Sequence, residues 1–301
     1  MTISDDHTST APPAPGDQHP AADALPRMLD SDELITLDGV DLHVCQNGPA
    51  DAPALLLIHG TGASARSWEP MLGSLTGSHR VIRIDLLGCG RSSRPDDGNY
   101  AVTDQVRRIG VLLDRLGVGR VVVAGHSSGG VFATALAVHR PDLLDGVVLI
   151  NTGPRMSAYI AADVPLRNAA WSDLTDDQIR AAIRDGFHPG FAIPASYVDQ
   201  FREIDFEAFG AVSVAIRSYL EEQPLPDRLA PIGRPLLVIF GDQDQRWDPA
   251  AAADYHAVRG ARITMMPGLG HSPNLEDPQR TAAALLTFTA AHTADVGSGR
   301  D

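Results

Sequence analysis

Between Glu33 and His292, short apolar runs alternate with amphipathic ones, and no other feature restricts the fold of this chain so tightly. "PALLLIHG" from Pro53, "RVVVAGH" from Arg120, "LLDGVVLIN" from Leu143 and "RPLLVIFGD" from Arg234 are apolar with little or no alternation. Successive side chains of a strand leave on opposite faces, so such runs fit strands covered on both sides. "HRVIRIDL" from His79 and "ARITMMPG" from Ala261 read as two more strands. "ELITL" (33–37) and "VDLHVCQ" (40–46) flank Asp38-Gly39, a two-residue hairpin signal. Helical patterns occupy 67–75, 103–116, 129–139, 249–258 and 277–292. The alternation predicts an α/β fold: a doubly wound, mostly parallel eight-stranded sheet with an antiparallel N-terminal edge.

One stretch breaks the rhythm. Residues 153–229 hold no clear β run and read as an inserted helical lid between the two parts of the core, 31–152 and 230–292. In "LTDDQIRAAIRDGF", Thr175 is a candidate N-cap ahead of Asp176, Asp177 and Gln178. The lid holds five of the eight Phe, three of the five Tyr and one of the three Trp, Trp171. Those aromatics fill the lid's own core, line a pocket over the sheet, or both. Residues 1–30 and 293–301 show no periodicity and are expected to be disordered tails.

Composition narrows the chemistry. The net charge is −14, and all 24 basic residues are arginine. Without lysine there is no Schiff-base lysine, phosphate-loop lysine or Ser-Lys pair. The acidity argues against nucleic acid and anionic membranes as partners but identifies none; it is the aromatic-rich lid that points to a small-molecule substrate. The two cysteines, Cys45 and Cys89, form no metal spacing and read as small buried hydrophobes. No run approaches a membrane span, and the N-terminus lacks the pattern of a secretory leader, so the expected location is cytoplasmic. Oligomeric state is not legible.

"VVVAGHSSGGVF" places Gly125-His126-Ser127-Ser128-Gly129 between a strand and a helix. Gly-x-Ser-x-Gly in that setting is a nucleophile elbow: the serine sits in a strained turn, and glycines on either side avoid a collision across it. Ser127 is therefore the candidate nucleophile. It needs a base, and the base needs an orienting acid. Among eleven histidines, His271 in "PGLGHSPNLEDP" follows the last strand on a glycine-rich loop, where a base from the carboxyl end of the sheet must lie. His126 is expected to point away, and His59 to be structural. "FGDQDQRWDP" offers Asp242, Asp244 and Asp248 as the acid. Asp248 precedes Pro249 and reads as a helix cap, Asp242 as a turn former, and Asp244 has the better reach. Backbone N–H groups of Ser128 and Thr61 are the candidate oxyanion donors.

His59-Gly60-Thr61-Gly62, Asp85-Leu86-Leu87-Gly88-Cys89-Gly90-Arg91-Ser92, the elbow, Gly241-Asp242-Gln243-Asp244 and Gly270-His271-Ser272-Pro273, in that order, resemble the α/β-hydrolase superfamily over residues 33–292. The resemblance implies a Ser127-His271-Asp244 triad and no metal or organic cofactor. It assigns the Asp85–Ser92 segment a structural role. A serine nucleophile favours hydrolysis of an ester, thioester or lactone through an acyl-enzyme. Members of the superfamily also cleave carbon–carbon bonds, act as cofactor-free haloperoxidases, carry out eliminations and cyclisations, or serve as binding proteins, so fold alone leaves these open.

Overall fold

The computed structural model describes residues 27–161 and 174–293. Eight strands form one sheet: β1 (Met28–Leu37), β2 (Val40–Pro49), β3 (Ala54–Ile58), β4 (Arg80–Ile84), β5 (Val121–His126), β6 (Leu144–Ile150), β7 (Leu236–Gly241) and β8 (Arg262–Met266). Their order is β1-β2-β4-β3-β5-β6-β7-β8. β1–β2 and β2–β4 pair antiparallel, and every pair from β4–β3 to β7–β8 is parallel. The hairpin turns on Asp38 (φ 49°) and Gly39 (φ 80°), the two positive φ values of a tight hairpin loop.

The first strand is longer than its sequence pattern. Met28–Asp30 belong to β1, so the expected tail over residues 1–30 stops short; residues 1–26 lie outside the described residues. That half of β1 is mostly exposed and polar. It is held by ladder pairing from Met28 opposite Pro49 to Leu37 opposite Val40 and by Asn47 Nδ2 donating to Asp30 Oδ1 at 2.9 Å. Backbone pairing leaves no apolar trace in a sequence. The expected C-terminal tail, beyond Thr293, likewise lies outside the described residues.

Alternate residues of the central strands feed separate apolar layers. Leu56, Ile58, Val121, Val123, Val147, Leu149 and Val238 pack with α2 (Val102–Arg115) and α3 (Gly129–His139). Leu55, Leu57, Val122, Val148, Ile150, Leu237 and Ile239 pack with α1 (Glu69–Leu75) and, after the short α8 (Pro273–Glu276), with the closing helix α9 (Pro278–His292). Burial on both faces is why these strands read as continuous apolar runs. The expected helix over 249–258 is instead a run of tighter 3₁₀ turns over Pro249–Ala257, capped by Asp248 Oδ1, which accepts from Ala250 N–H at 2.9 Å.

Between β6 and β7 the described residues form α4 (Asp176–Ala182), α5 (Ala195–Arg202), α6 (Phe206–Glu222) and α7 (Leu225–Leu229). Thr175 caps α4 in a reciprocal box with Gln178. This insertion packs in two ways. Ile179, Ile183, Phe187, Ile193, Val198 and Phe201 form a small cluster of their own. Val212, Ile216, Leu220, Leu225 and Leu229 of α6 and α7 join the layer that holds α2 and α3. Trp171 lies outside the described residues.

The Asp85–Ser92 segment ties the hairpin to the sheet. Buried Asp85 meets His43 Nδ1 at 2.6 Å and accepts from the N–H groups of Ala65 (2.7 Å) and Arg91 (2.9 Å). Hydrogen bonds to Asp85 and then Cys45, with Asp32 beyond them, raise the His43 imidazole to about 10 against the opposing effect of burial. A side chain at Gly90 would overlap the Asp85 carboxylate, its Cβ falling 2.1 Å from Oδ2.

Candidate active site

β3 leads to β4 on one side of itself, and the chain later returns to place β5 on the other. In open α/β sheets the crevice at the carboxyl ends of strands at such a reversal is where ligands bind. Gly60 and Thr61 follow β3 here, and Ser127 follows β5.

Ser127 has φ 54°, a left-handed conformation that costs a non-glycine residue of order 1–3 kcal/mol. The fold holds it from both sides. Ser127 N–H donates to Ile150 O at 2.8 Å, and Thr152 Oγ1 donates to Ser127 O at 2.9 Å. A Cβ on Gly125 would lie 2.3 Å from the Gly129 carbonyl, and one on Gly129 would lie 2.2 Å from Ile58 O. Both glycines are required by closeness of backbone, since neither has a positive φ.

The serine hydroxyl does not stand alone. His271 Nε2 lies 2.8 Å from Ser127 Oγ, and His271 Nδ1 lies 3.0 and 3.1 Å from the two carboxylate oxygens of Asp244. A carboxylate can only accept, so Nδ1 carries the proton and the bare Nε2 accepts from Ser127 Oγ–H. Asp244 is buried and further held by N–H groups of Arg246 (2.8 Å) and Trp247 (3.2 Å) and by Asn151 Nδ2 (2.7 Å). Burial alone would push its carboxyl up. Electrostatic attraction to His271, with hydrogen bonds from His271, Asn151 and the Arg246 N–H, outweighs burial and holds it below the usual range.

Other groups position these three. Glu276 accepts from the N–H groups of Gly270 (2.7 Å) and Ser272 (2.9 Å), bracketing His271. His126 does not turn away as expected: its Nε2 donates to His271 O at 2.8 Å, and its ring borders the same cleft as Ser127. Burial first, and then the neighbouring His271, push the His126 imidazole down to about 3, so it is neutral and a poor base. His59 acts as a structural bonder, donating from Nδ1 to Gly60 O and accepting from Leu86 N–H. Asp242 sits outside the row; its Oδ1 accepts from Gly268 N–H at 2.7 Å.

The candidate oxyanion donors carry a surprise. Thr61 N–H and Thr61 Oγ1 both lie 2.7 Å from Ser128 Oγ, so the Ser128 side chain occupies the amide that the sequence assigns to substrate. Asn151 is the residue that sequence reasoning missed. It has φ 46°, is buried, bonds both Asp244 and Gly270 O, and accepts from Gly241 N–H at 3.1 Å. Its only signal was its place immediately after β6.

Around Ser127 lies a narrow cleft. Gly60, Thr61 and His271 line it from the core, and Ile183, Phe187, Tyr197 and Phe201 from the insertion. Arg246 borders it too, and its Nη2 donates to Asp185 Oδ1 at 2.8 Å. Phe187 and Phe201 thus serve both the insertion's own cluster and the cleft wall.

A family model described as the alpha/beta hydrolase family matches residues 55–284. The chain belongs to that family. A relative from Pseudomonas syringae pv. syringae, provisionally named carbamate hydrolase RutD, is 39% identical over 257 residues, 82% of this chain and 97% of the relative. Among solved structures, the enol-lactonase of Burkholderia xenovorans LB400 is 25% identical with a TM-score of 0.75, covering 86% of this chain and 100% of its own. A hydrolase of Pseudomonas aeruginosa PA01 is 28% identical with a TM-score of 0.73, covering 85% and 97%. As a member of this family the chain carries its eight-stranded sheet with the antiparallel edge at β1 and β2. No helix among the described residues is long and apolar enough to cross a membrane.

Proposed function

We propose that this protein hydrolyses an ester, thioester or lactone bond of a small, largely apolar molecule through an acyl-enzyme on Ser127. One observation carries the reading: the continuous row from Ser127 Oγ through His271 to Asp244, with links of 2.8 and 3.0 Å. Ser127 Oγ attacks the acyl carbon while its proton passes to His271 Nε2. The imidazolium is stabilised by Asp244 and then protonates the leaving group as its bond to the acyl carbon breaks. Water repeats the sequence in reverse roles and frees the acid. Carbamate and enol-lactone, in the names of the relatives, share an acyl carbon bearing a heteroatom leaving group, and this supports the reading. The same row, with its base and acid in place, supports an enzyme over a binding protein. The chemistry uses no metal or organic cofactor, and the insertion acts as a lid over the cleft.

A series of 4-nitrophenyl esters tests this. Each methylene buried among Ile183, Phe187 and Phe201 contributes about 0.8 kcal/mol, so kcat/KM is expected to rise about three- to fourfold per carbon until the cleft is full. No turnover of any ester would refute the reading; flat dependence on length would remove the apolar wall from substrate selection.

Ser128 gives a second expectation. Its N–H makes no hydrogen bond among the described residues, and with Thr61 N–H it forms the oxyanion site. The substrate oxygen must first displace Ser128 Oγ from the Thr61 amide. Ser128→Ala removes the competitor, and the hydrogen bond it frees is worth about 0.5–1.5 kcal/mol, so kcat/KM is expected to rise two- to tenfold. A fall of that size would mean that the hydroxyl itself donates to the oxyanion.

A further inference from the structure

The cleft wall is without fixed charge except at one place. Among the described residues that border it, Arg246 alone carries a permanent charge, and no carboxylate is among them. Its counter-ion, Asp185, is not part of the lining and engages Nη2 only. The Arg246 Nε–H is buried with no partner among the described residues. A buried donor left unpaired is costly, and a guanidinium donor more so than an amide. Tyr197 lines the same cleft. Burial pushes the Tyr197 phenol up to about 12, while the Arg246 charge pulls the other way.

Two readings compete for Arg246. In the first it is a latch that ties the insertion to the loop after β7. That loop already has other ties: Gln245 Nε2 donates to Phe187 O at 2.8 Å, and the neighbouring Ser272 Oγ donates to Gly186 O at 2.7 Å. The ion pair is thus a third fastening, and a latch does not explain the unpaired Nε. In the second, the free edge of the guanidinium belongs to the substrate. Arginine presents donors in a planar fork that matches a carboxylate, and such charge-assisted bonds are strongest where water is excluded. Its backbone also fixes it in place: Arg246 N–H donates to Asp244 Oδ1 at 2.8 Å, and its carbonyl accepts from Ile160 N–H at 2.9 Å. The same residue therefore spans the acid of the row and the cleft wall.

We propose that Arg246, with Tyr197 of the same cleft, forms an anion subsite that binds a carboxylate at the far end of the acyl chain, so that the preferred substrates are acyl compounds of dicarboxylic type. The proposal rests on the acyl-enzyme reading above for the position of the bond that is cut. It refines the apolar substrate class: an aliphatic span over Ile183, Phe187 and Phe201, ending in a negative charge.

The test compares nitrophenyl half-esters of glutaric and adipic acid with esters of the same length in which an isopropyl group replaces the carboxylate. Hydrogen bonds to charged groups are worth enough for the native protein to favour the carboxylate by about 10- to 100-fold in kcat/KM. Arg246→Gln and Arg246→Met are expected to bring that ratio close to one. Asp185→Asn, which releases the guanidinium from its counter-ion, is expected to keep or raise it. A pure latch predicts otherwise: all three variants would lower both substrates alike and leave the ratio unchanged, and that result overturns the proposal. A native ratio of one overturns it as well. Labelling of Ser127 by a fluorophosphonate, run on the same samples, separates the two claims. Labelling with turnover of the isopropyl esters and a ratio of one sinks the subsite alone. With no labelling and no turnover the acyl-enzyme reading fails, and the subsite is then judged by calorimetric titration with glutarate and adipate. Binding lost in Arg246→Gln upholds it, and binding unaffected by the substitution refutes it.

Discussion

Ser127→Ala is expected to abolish ester hydrolysis, with kcat falling by about 10⁶-fold, the scale seen when a nucleophile is removed from a cooperating Ser-His-Asp set. The reason is visible in the geometry. Among the described residues His271 Nε2 has one partner, Ser127 Oγ at 2.8 Å, and without that oxygen the base has no proton to take. His126, the other imidazole on the cleft, is held neutral by burial with its Nε2 committed to His271 O, so it cannot substitute. The fold should not notice the change. Alanine keeps the Cβ and therefore the same strain at φ 54°, and the bonds that secure the elbow involve the backbone of residue 127 rather than its hydroxyl. Melting temperature should thus stay put while activity disappears. Mass spectrometry after fluorophosphonate treatment should find the adduct on Ser127. An adduct on Ser128 or Ser92, or an active Ser127→Ala protein, would overturn the assignment.

What could be read from the sequence follows from how local each cause is. The elbow was legible because its glycines are dictated by contacts within five residues and one neighbouring strand: Gly125 meets Gly129, and Gly129 meets Ile58. The central strands were legible because both faces are buried, which writes an unbroken apolar run from Val121 to Ala124 in β5 and from Leu236 to Phe240 in β7. The start of β1 was not, since an exposed edge held by backbone pairing and a side-chain bond from Asn47 to Asp30 buries no apolar face. Asn151 escaped because its partners, Asp244 and Gly270, are 93 and 119 residues away, and no local pattern marks such a bond. Ser128 and Thr61 were both singled out, but for their amides; that one side chain would cap the other's amide depends on a rotamer, which sequence does not encode. Arg246 was passed over as one of many arginines. Only the structure brings it to the cleft with an unpaired donor.

Asp244→Asn is expected to lower kcat by about 10⁴-fold, while Asp242→Asn changes it by no more than a few-fold. The two acids are two residues apart and differ in everything that matters. Asp244 is buried and accepts from Arg246 N–H, Trp247 N–H and Asn151 Nδ2 as well as from His271. An amide placed there turns one acceptor oxygen into a donor NH₂. The two backbone N–H groups are donors that cannot reverse, and the Asn151 amide is pinned as a donor by its bonds to Gly270 O and from Gly241 N–H, so the conflict is relieved most easily at His271. The imidazole can shift its proton from Nδ1 to Nε2 and accept at Nδ1 instead. It then presents N–H rather than a lone pair to Ser127 Oγ and no longer acts as a base. The loss should fall on kcat with KM little changed, because Asp244 does not border the cleft. Asp242 is exposed and accepts from Gly268 N–H at 2.7 Å, a bond that the amide oxygen of asparagine reproduces. Steady-state kinetics of the two variants on one ester decide the matter. A large loss in Asp242→Asn with little in Asp244→Asn would reverse the assignment of the acid, and equal small losses would mean that His271 needs no orienting carboxylate.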